Sequence, residues 1–491
     1  MPTVATTHAV ELVAALARAL RAEVLETHLS WVLLAGDTAY KIKKPVQLPF
    51  VDYSSLPARR HFCDEELRLN QRLAPSLYLG ITRITGTLTA PVLEGLGPVQ
   101  EYAVRMRRFA SGALFSEQLA AGALLPADVD RLAALLTDFH RRAPHADLAG
   151  SFASAEQRRS HALAALDGVR LLASEAEMVE LRGWLETEAA ALAPLWTSRK
   201  AAGRVRECHG DLHLDNVVKH GAEVLAFDCI EFDPALRWID VLDDAAFVVM
   251  DFAARDRRDL AFRFLNAWLD LTGDHAGLPA LRFAVVYRAL VRAQVAHLRG
   301  GEQGNAARRY LQTALTWMRQ REARLFITHG LPGSGKTFAA QRLLEQQGAI
   351  RLRSDVERKR LFGLGMLEDS RAQGLNLYDA SANARTYAHL LQTARLALQA
   401  GYPVILDAAF LRLAERAQAR ALAHALGVPF FIVDCAAPLA VLRARLEARQ
   451  GDASEADLAV LESLRSVAEP LTRDELASVL ALPGTATPAA P

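Results

Sequence analysis

Lysine is scarce. The 491-residue chain carries 57 basic residues, of which seven are lysine: Lys41, Lys43, Lys44, Lys200, Lys219, Lys336 and Lys359. Arginine serves everywhere else, so a retained lysine marks a place where a compact ammonium suits better than a flat guanidinium fork. Three of the seven crowd into TAYKIKK and one ends a glycine-rich stretch. Cysteine is rare as well. Cys63, Cys208, Cys229 and Cys435 lack CxxC spacing, which argues against a disulfide framework or a cysteine zinc site and reads as buried thiols. No window holds 18 uninterrupted apolar residues, and the first residues lack a basic-then-apolar pattern. A cytoplasmic protein with no membrane partner is expected. A net charge of +1 supplies no general attraction for nucleic acid.

What the chain does have is two contrasting patterns. Residues 8–26 show helical apolar spacing (Val10, Val13, Leu16, Leu20, Val24). Short β-like runs follow (WVLLAG, TAYKIK, GITRIT, TAPVLE, EYAVRM), interrupted by a helical segment over 57–74. Residues 113–200 and 237–322 read as helices, the latter broken by a loop, RGGEQGN, at 299–305. From 324 the apolar strands RLFIT, AIRLRSD, PVILDA and PFFIVDC alternate with helical stretches, the mark of βαβ units and a parallel sheet.

GLPGSGKT (330–337) fits the P-loop pattern between a strand and a helix. Glycines such as Gly330, Gly333 and Gly335 let backbone N–H groups, that of Ser334 included, turn toward phosphate oxygens at a helix start. Lys336 is expected at the β/γ-phosphates and Thr337 on Mg2+. Asp355, in RSDVERK, can take a proton from a substrate hydroxyl, and Arg358 lies on the same helical face to hold an anionic group of the substrate. Asp407 ends PVILDA where an acid would orient Mg2+ or its water. Arg445 and Arg449, four apart, can close as a lid over the transferring phosphoryl group. These residues resemble the family of zeta toxins, gluconate kinase and the kinase part of polynucleotide kinase over about 160 residues. The resemblance implies that Asp355 is the base. Relatives often read Asp-Ala-Thr-Phe where this chain has Asp407-Ala408-Ala409-Phe410, so any role of that threonine is missing here.

HGDLHLDN (209–216) places His209 and His213 at zinc-helix spacing, but Gly210 breaks a helix and no third ligand follows. Its spacing matches a kinase catalytic loop: Asp211 and Asn216 are five apart, and Asp228 follows twelve residues later at the end of VLAFD. Asp211 would accept the hydroxyl proton, while Asn216 and Asp228 would bind Mg2+. The loop resembles that of aminoglycoside phosphotransferases, His-Gly-Asp-x-His-x-x-Asn, and the resemblance implies that Asp240 is a buried acid steadying the loop from a helix. A small-lobe lysine should pair with a helical glutamate. Lys41 is the first choice and Lys43, on the same strand face, the second; Glu66 fits best as the partner, and Glu65 stays open. QEYAVRMRRF reads as an edge strand and hinge that offers backbone groups to adenine around Arg105–Arg107.

The whole order resembles a bacterial family described as bifunctional aminoglycoside phosphotransferase-like and ATP-binding. The expected fold is an α+β protein-kinase-like two-lobed domain (1–108 small lobe, 109–322 helical large lobe), then a three-layer α/β P-loop domain with a parallel sheet (323–482), then a disordered tail (483–491). The expected function is ATP- and Mg2+-dependent transfer of the γ-phosphoryl group to hydroxyls of small molecules at two sites. Two competing readings are an ATP-binding regulator without transfer and a kinase of polynucleotide 5′ ends in the C-terminal part.

Overall fold

Lysine-bearing strand Thr38–Lys43 lies inside a six-stranded antiparallel sheet, which runs in space Glu23–Glu26, Ser30–Ala35, Thr38–Lys43, Glu101–Arg107, Tyr78–Gly86, Pro91–Leu93. The computed structural model describes residues 4–48, 51–299, 304–375, 377, 379–448 and 453–480. The chain divides into two compact units, Met1–Arg158 with Ala193–Val248, and Arg159–Leu192 with Val249–Pro491.

In the first unit the strand alternation decides which face each residue takes. Ile42 joins Trp31, Leu33, Ile84 and Ala103 in a cluster with Leu12, Val13 and Leu16 of the helix Val4–Leu20. Lys41 and Lys43 take the opposite face, toward the helix Leu56–Asn70, whose start is capped by Ser55 accepting Ala58 N–H. The first helix stops at Leu20, short of the expected 26, because Arg21 adopts a left-handed φ of 51°. Glu23–Glu26 instead becomes an exposed edge strand paired with Ser30–Ala35.

EYAVRMR is not an edge. It forms the central strand Glu101–Arg107, paired with Thr38–Lys43 on one side and Tyr78–Gly86 on the other. Arg107 N–H goes to Leu77 O and Arg108 N–H to Asp37 O, both at ordinary bond lengths. The sheet and its flanking turns therefore engage the backbone expected to meet adenine. Beyond the sheet come helices Phe115–Ala120 and Pro126–Arg142 and two small antiparallel pairs, Val205–Glu207 with Trp238–Asp240, and Val217–His220 with Glu223–Ala226. This is the α+β kinase-like arrangement.

The second unit holds a parallel four-stranded sheet ordered Ile350–Arg353, Val404–Asp407, Leu325–His329, Phe430–Asp434, with helices packed on it in a three-layer α/β P-loop fold. Helices Arg258–Thr272, Leu278–Arg299 and Gly304–Arg319 belong to the same compact unit as this sheet. Asn266 of the first of them donates to Ala349 O at 2.8 Å and accepts Arg351 N–H at 2.6 Å, satisfying the outer edge of Ile350–Arg353. Most of the expected loop at 299–305 lies outside the described residues, as does the whole tail at 483–491.

Candidate nucleotide sites

In the first unit, Glu66 is fully buried on the helix Leu56–Asn70. Its two oxygens face two ammoniums: Lys41 Nζ at 2.8 Å and Lys43 Nζ at 2.7 Å. Glu65 turns instead to Arg68 at 2.8 Å and Arg237 at 3.3 Å. Lys41 also pairs with Asp228, and Lys43 with Glu231 at 2.5 Å. Burial alone would push the Glu66 carboxyl up, but the two ammoniums outweigh it and hold it down at about 2. Burial works against both ammoniums too, yet Asp228, Glu66 and Glu231 keep Lys41 and Lys43 protonated well above the ordinary lysine range.

The HGDLHLDN loop is shaped from within. His209 is fully buried; its Nε2–H donates to Phe227 O at 2.8 Å and its Nδ1 accepts Asp211 N–H at 3.2 Å. Both ring nitrogens are thus committed to the loop, and a metal has no place on them. Asn216 Nδ2 donates to Asp211 O at 2.9 Å, and Phe227 N–H donates to Asn216 O at 3.0 Å. Asn216 and Asp228 therefore stand at the open end of one hairpin, Val217–His220 with Glu223–Ala226. Asp228 takes a left-handed φ of 65°, a conformation a non-glycine residue keeps only where its surroundings impose it. The Asp211 side chain keeps 29% of its exposure.

Asp240 does not steady this loop. It lies on a strand and is bound by Arg199, Nε and Nη2 each at 2.7 Å. Asp244 has the expected role: it accepts the N–H groups of His209 at 3.1 Å and Gly210 at 3.0 Å, and meets His140 Nε2 at 3.1 Å. Burial disfavours its charge, but these donors hold its carboxyl below the usual range. Among the described residues, His140, Cys208 and Asp244 bring ligand-type atoms within 4.8 Å of one another, but Asp244 already spends its oxygens on His140 and the two amides.

In the second unit, the strand Leu325–His329 runs into the glycine-rich loop and the helix Lys336–Gln347. Gly330 has a φ of 144°, and a Cβ there would sit 2.3 Å from Cys435 O. Lys336 Nζ donates to Leu331 O at 2.9 Å. Asp407, on the strand beside Leu325–His329, is buried, and its Oδ2 has no hydrogen-bond partner among the described residues. Burial raises its carboxyl above the usual range, against the pull of Arg351, Arg353 and Lys336. Asp355 lies in the first turn of the helix Ser354–Leu361, where Arg358 Nη1 donates to its Oδ1 at 3.3 Å and Arg358 Nη2 to Asn383 Oδ1 at 2.8 Å. Gly333, Gly335, Lys336, Thr337, Asp355 and Asp407 line one cavity of about 1300 Å³. Arg358 and Arg445 line it as well, and Arg445 Nη1 donates to Gly333 O at 3.0 Å. Arg449, expected on the same helix, lies outside the described residues. At the departure from Asp-Ala-Thr-Phe, the backbone O of Ala409 accepts Gly330 N–H at 3.1 Å.

Residues 325–471 match the family described as an AAA domain. Over 461 residues, 90% of this chain, the sequence is 32% identical to an uncharacterized protein of Mycobacterium tuberculosis and covers 89% of it; a Mycobacterium bovis protein matches equally. The chain belongs to their family. The resemblance carried by the two motifs, an aminoglycoside phosphotransferase-like part followed by a P-loop kinase-like part, holds for it. Among solved structures it is similar to a choline/ethanolamine kinase family protein from Mesorhizobium loti (12% identity, 61% of this chain and 88% of that one, TM-score 0.38). It is also similar to a gluconokinase from Sinorhizobium meliloti (17%, 33% and 82%, TM-score 0.25).

The donor sets suit Mg2+ and a nucleotide. Among the described residues the buried Ser334 Oγ and Asp407 Oδ2 have no hydrogen-bond partner, and Asp407 offers a hard carboxylate oxygen beside the glycine-rich loop. Asn216 and Asp228 are likewise oxygen donors. Sequence reasoning missed Asn383 and Tyr387, which line the cavity beside Asp355 from the helix Ala380–Gln399, where no motif marks them. It also missed Glu231, whose only signal is its place three residues after Asp228.

Proposed function

We propose that the protein is an ATP- and Mg2+-dependent phosphotransferase with two nucleotide sites, each passing the γ-phosphoryl group to a hydroxyl of a small molecule. The main support is the cavity of about 1300 Å³ that the phosphate loop, Asp407 and Asp355 share. Ligand pockets commonly measure about 300–1,000 Å³, so an acceptor has room beside the nucleotide. Lys336 and the loop amides hold the phosphates, Asp355 takes the acceptor's proton, and Arg358 keeps Asp355 oriented. Arg445 stands over the loop where charge gathers on the transferring group. Thr337 and Asp407 would hold Mg2+, which supplies charge neutralisation and alignment of the phosphates when bound.

In the first unit Lys41 turns to the phosphates, Asp211 takes the proton, and Asn216 and Asp228 would hold the metal. The net charge of +1 favours small acceptors over nucleic acid, and the cytoplasm supplies both ATP and such acceptors. No helix among the described residues is long and apolar enough to cross a membrane.

The test is incubation with ATP, Mg2+ and a cell metabolite extract, followed by mass spectrometry. Wild type should give new phosphorylated species; Asp211→Ala should lose one set and Asp355→Ala the other. A positioned base contributes about 10²–10⁴ in rate, so each loss should be nearly complete. Nucleotide binding with no phosphorylated acceptor at all would instead mark a regulator.

A further inference from the structure

Two residues past Lys41, the same strand face carries a second lysine that the reaction does not need for contact with phosphate. Lys43 is 1% exposed. Its ammonium donates to Glu66 Oε2 at 2.7 Å and Glu231 Oε1 at 2.5 Å. The hydroxyl of Tyr53, itself 0% exposed, donates to that same Glu231 oxygen at 2.5 Å. Four pieces of chain are tied in one buried knot: the lysine strand, the glutamate helix, the segment leading into that helix, and the stretch just after Asp228.

The two lysines differ in what they can do. The Lys41 side chain is 14% exposed and spans Glu66 and Asp228. When it turns toward a nucleotide phosphate it gives up part of its hold on Glu66. A fully buried carboxylate left without a counter-charge is strongly destabilising. Lys43 stays behind and keeps Glu66 compensated. Through Glu231 it also anchors the chain three residues from Asp228, whose left-handed backbone needs support. The glutamate helix cannot swing away without breaking the buried Lys43–Glu66 pair.

We propose that Lys43, Glu231 and Tyr53 are positioning residues that fix Glu66 and the Asp228 segment, so that Lys41 is released to the phosphates and the first site stands assembled without an activating event. The proposal rests on the first unit being a Mg2+·ATP site.

The experiment uses the full chain with Lys336→Ala, which removes the second site's contribution, and follows Mg2+·ATP affinity by calorimetry alongside thermal unfolding. Lys43→Met should weaken Mg2+·ATP binding by about tenfold or more, the scale of a lost charged hydrogen bond. The milder Tyr53→Phe keeps the fold testable if Lys43→Met does not fold. It should lower the affinity severalfold and raise the Mg2+ concentration needed for binding. Lys43→Met with Glu231→Gln should recover unfolding temperature but not affinity. A Tyr53→Phe protein with altered unfolding temperature but unchanged affinity and Mg2+ requirement overturns the proposal alone. No binding by the Lys336→Ala parent overturns the nucleotide reading of the first unit and this proposal with it.

Discussion

The carboxylate of Asp244 accepts the backbone N–H of Gly210 at 3.0 Å, one residue before the candidate base Asp211. The same carboxylate takes His209 N–H at 3.1 Å. Gly210 has a φ of 89°, and a Cβ there would lie 2.8 Å from Leu236 O, so the chain passes through a gap that only glycine fits. A remote acid thereby fixes the backbone that leads into Asp211.

Asp244→Asn should cut first-site transfer by about 10²-fold, because a misplacement near 1 Å can cost that much. The KM for ATP should change little, since Asp244 touches neither Lys41 nor Asp228. Asp240→Ala should act differently. It removes the carboxylate that accepts both Arg199 Nε and Nη2 and should cost about 3–5 kcal/mol of stability. Initial rates and urea unfolding of the two variants separate the roles; equal stability loss with equal rate loss would contradict the division.

Gly330→Ala should selectively weaken nucleotide binding in the second unit. The added Cβ would sit 2.3 Å from Cys435 O and 2.7 Å from Ser334 Oγ, and the first of these is backbone that cannot turn aside. The loop must shift, and its amides lose their convergence on phosphate. Isothermal titration with ATP should show one class of site lost and the other kept.

What the sequence made legible was local. The spacing within HGDLHLDN and GLPGSGKT is confined to eight residues each, so no long-range contact is needed to read it. Choosing between Asp240 and Asp244 required one: the pairing of Trp238–Asp240 with Val205–Glu207 turns Asp240 toward Arg199 and leaves Asp244 to the loop. The strand EYAVRMR looked like an edge because nothing local shows that Tyr78–Gly86 lies outside it. Glu23–Glu26 continued an apolar helical spacing until a left-handed Arg21 ended it. The Lys43–Glu231 pair joins positions 188 apart and has no local signature at all.

Asp407 gives a pH prediction. Its folded carboxyl is raised by burial above the unfolded value, so the folded chain holds the proton to a higher pH. The stability from this group is fully present below the unfolded pKa and is lost as pH rises through the folded one. At neutral pH the buried anion is therefore a cost in the nucleotide-free protein. Asp407→Asn should raise the unfolding temperature near pH 7 without nucleotide, with the gain shrinking toward acid pH. The same substitution should abolish Mg2+-dependent stabilisation of the second unit. Differential scanning fluorimetry across pH 4.5–8, about the span between carboxylate and neutral ranges, reads both effects. A gain that grows toward acid pH would contradict the sign.

The helix Arg258–Thr272 makes the parallel sheet dependent on residues well before the P-loop. Asn266 satisfies both Ala349 O and Arg351 N–H on the outer strand. Asp270 meets Arg351 Nη2 at 3.3 Å, and its backbone O accepts Arg360 Nη2 at 2.5 Å. That outer strand leads directly into the helix carrying Asp355. Asn266→Ala would leave a buried donor and acceptor unpaired, a loss of about 1–3 kcal/mol each. A fragment beginning at residue 323 loses Asn266 and Asp270 together. It exposes an unpaired strand edge, Ile350–Arg353, of the kind that pairs with other chains. Such a fragment should aggregate or show weakened nucleotide binding, while one that joins both stretches of the second unit, 159–192 and 249–491, by a short linker should stay monomeric and retain it. Size-exclusion chromatography with ATP titration of the two fragments decides the matter. Equal behaviour of both would show that the P-loop sheet stands without its flanking helix, and the grip of Asn266 would then have no bearing on the placement of Asp355.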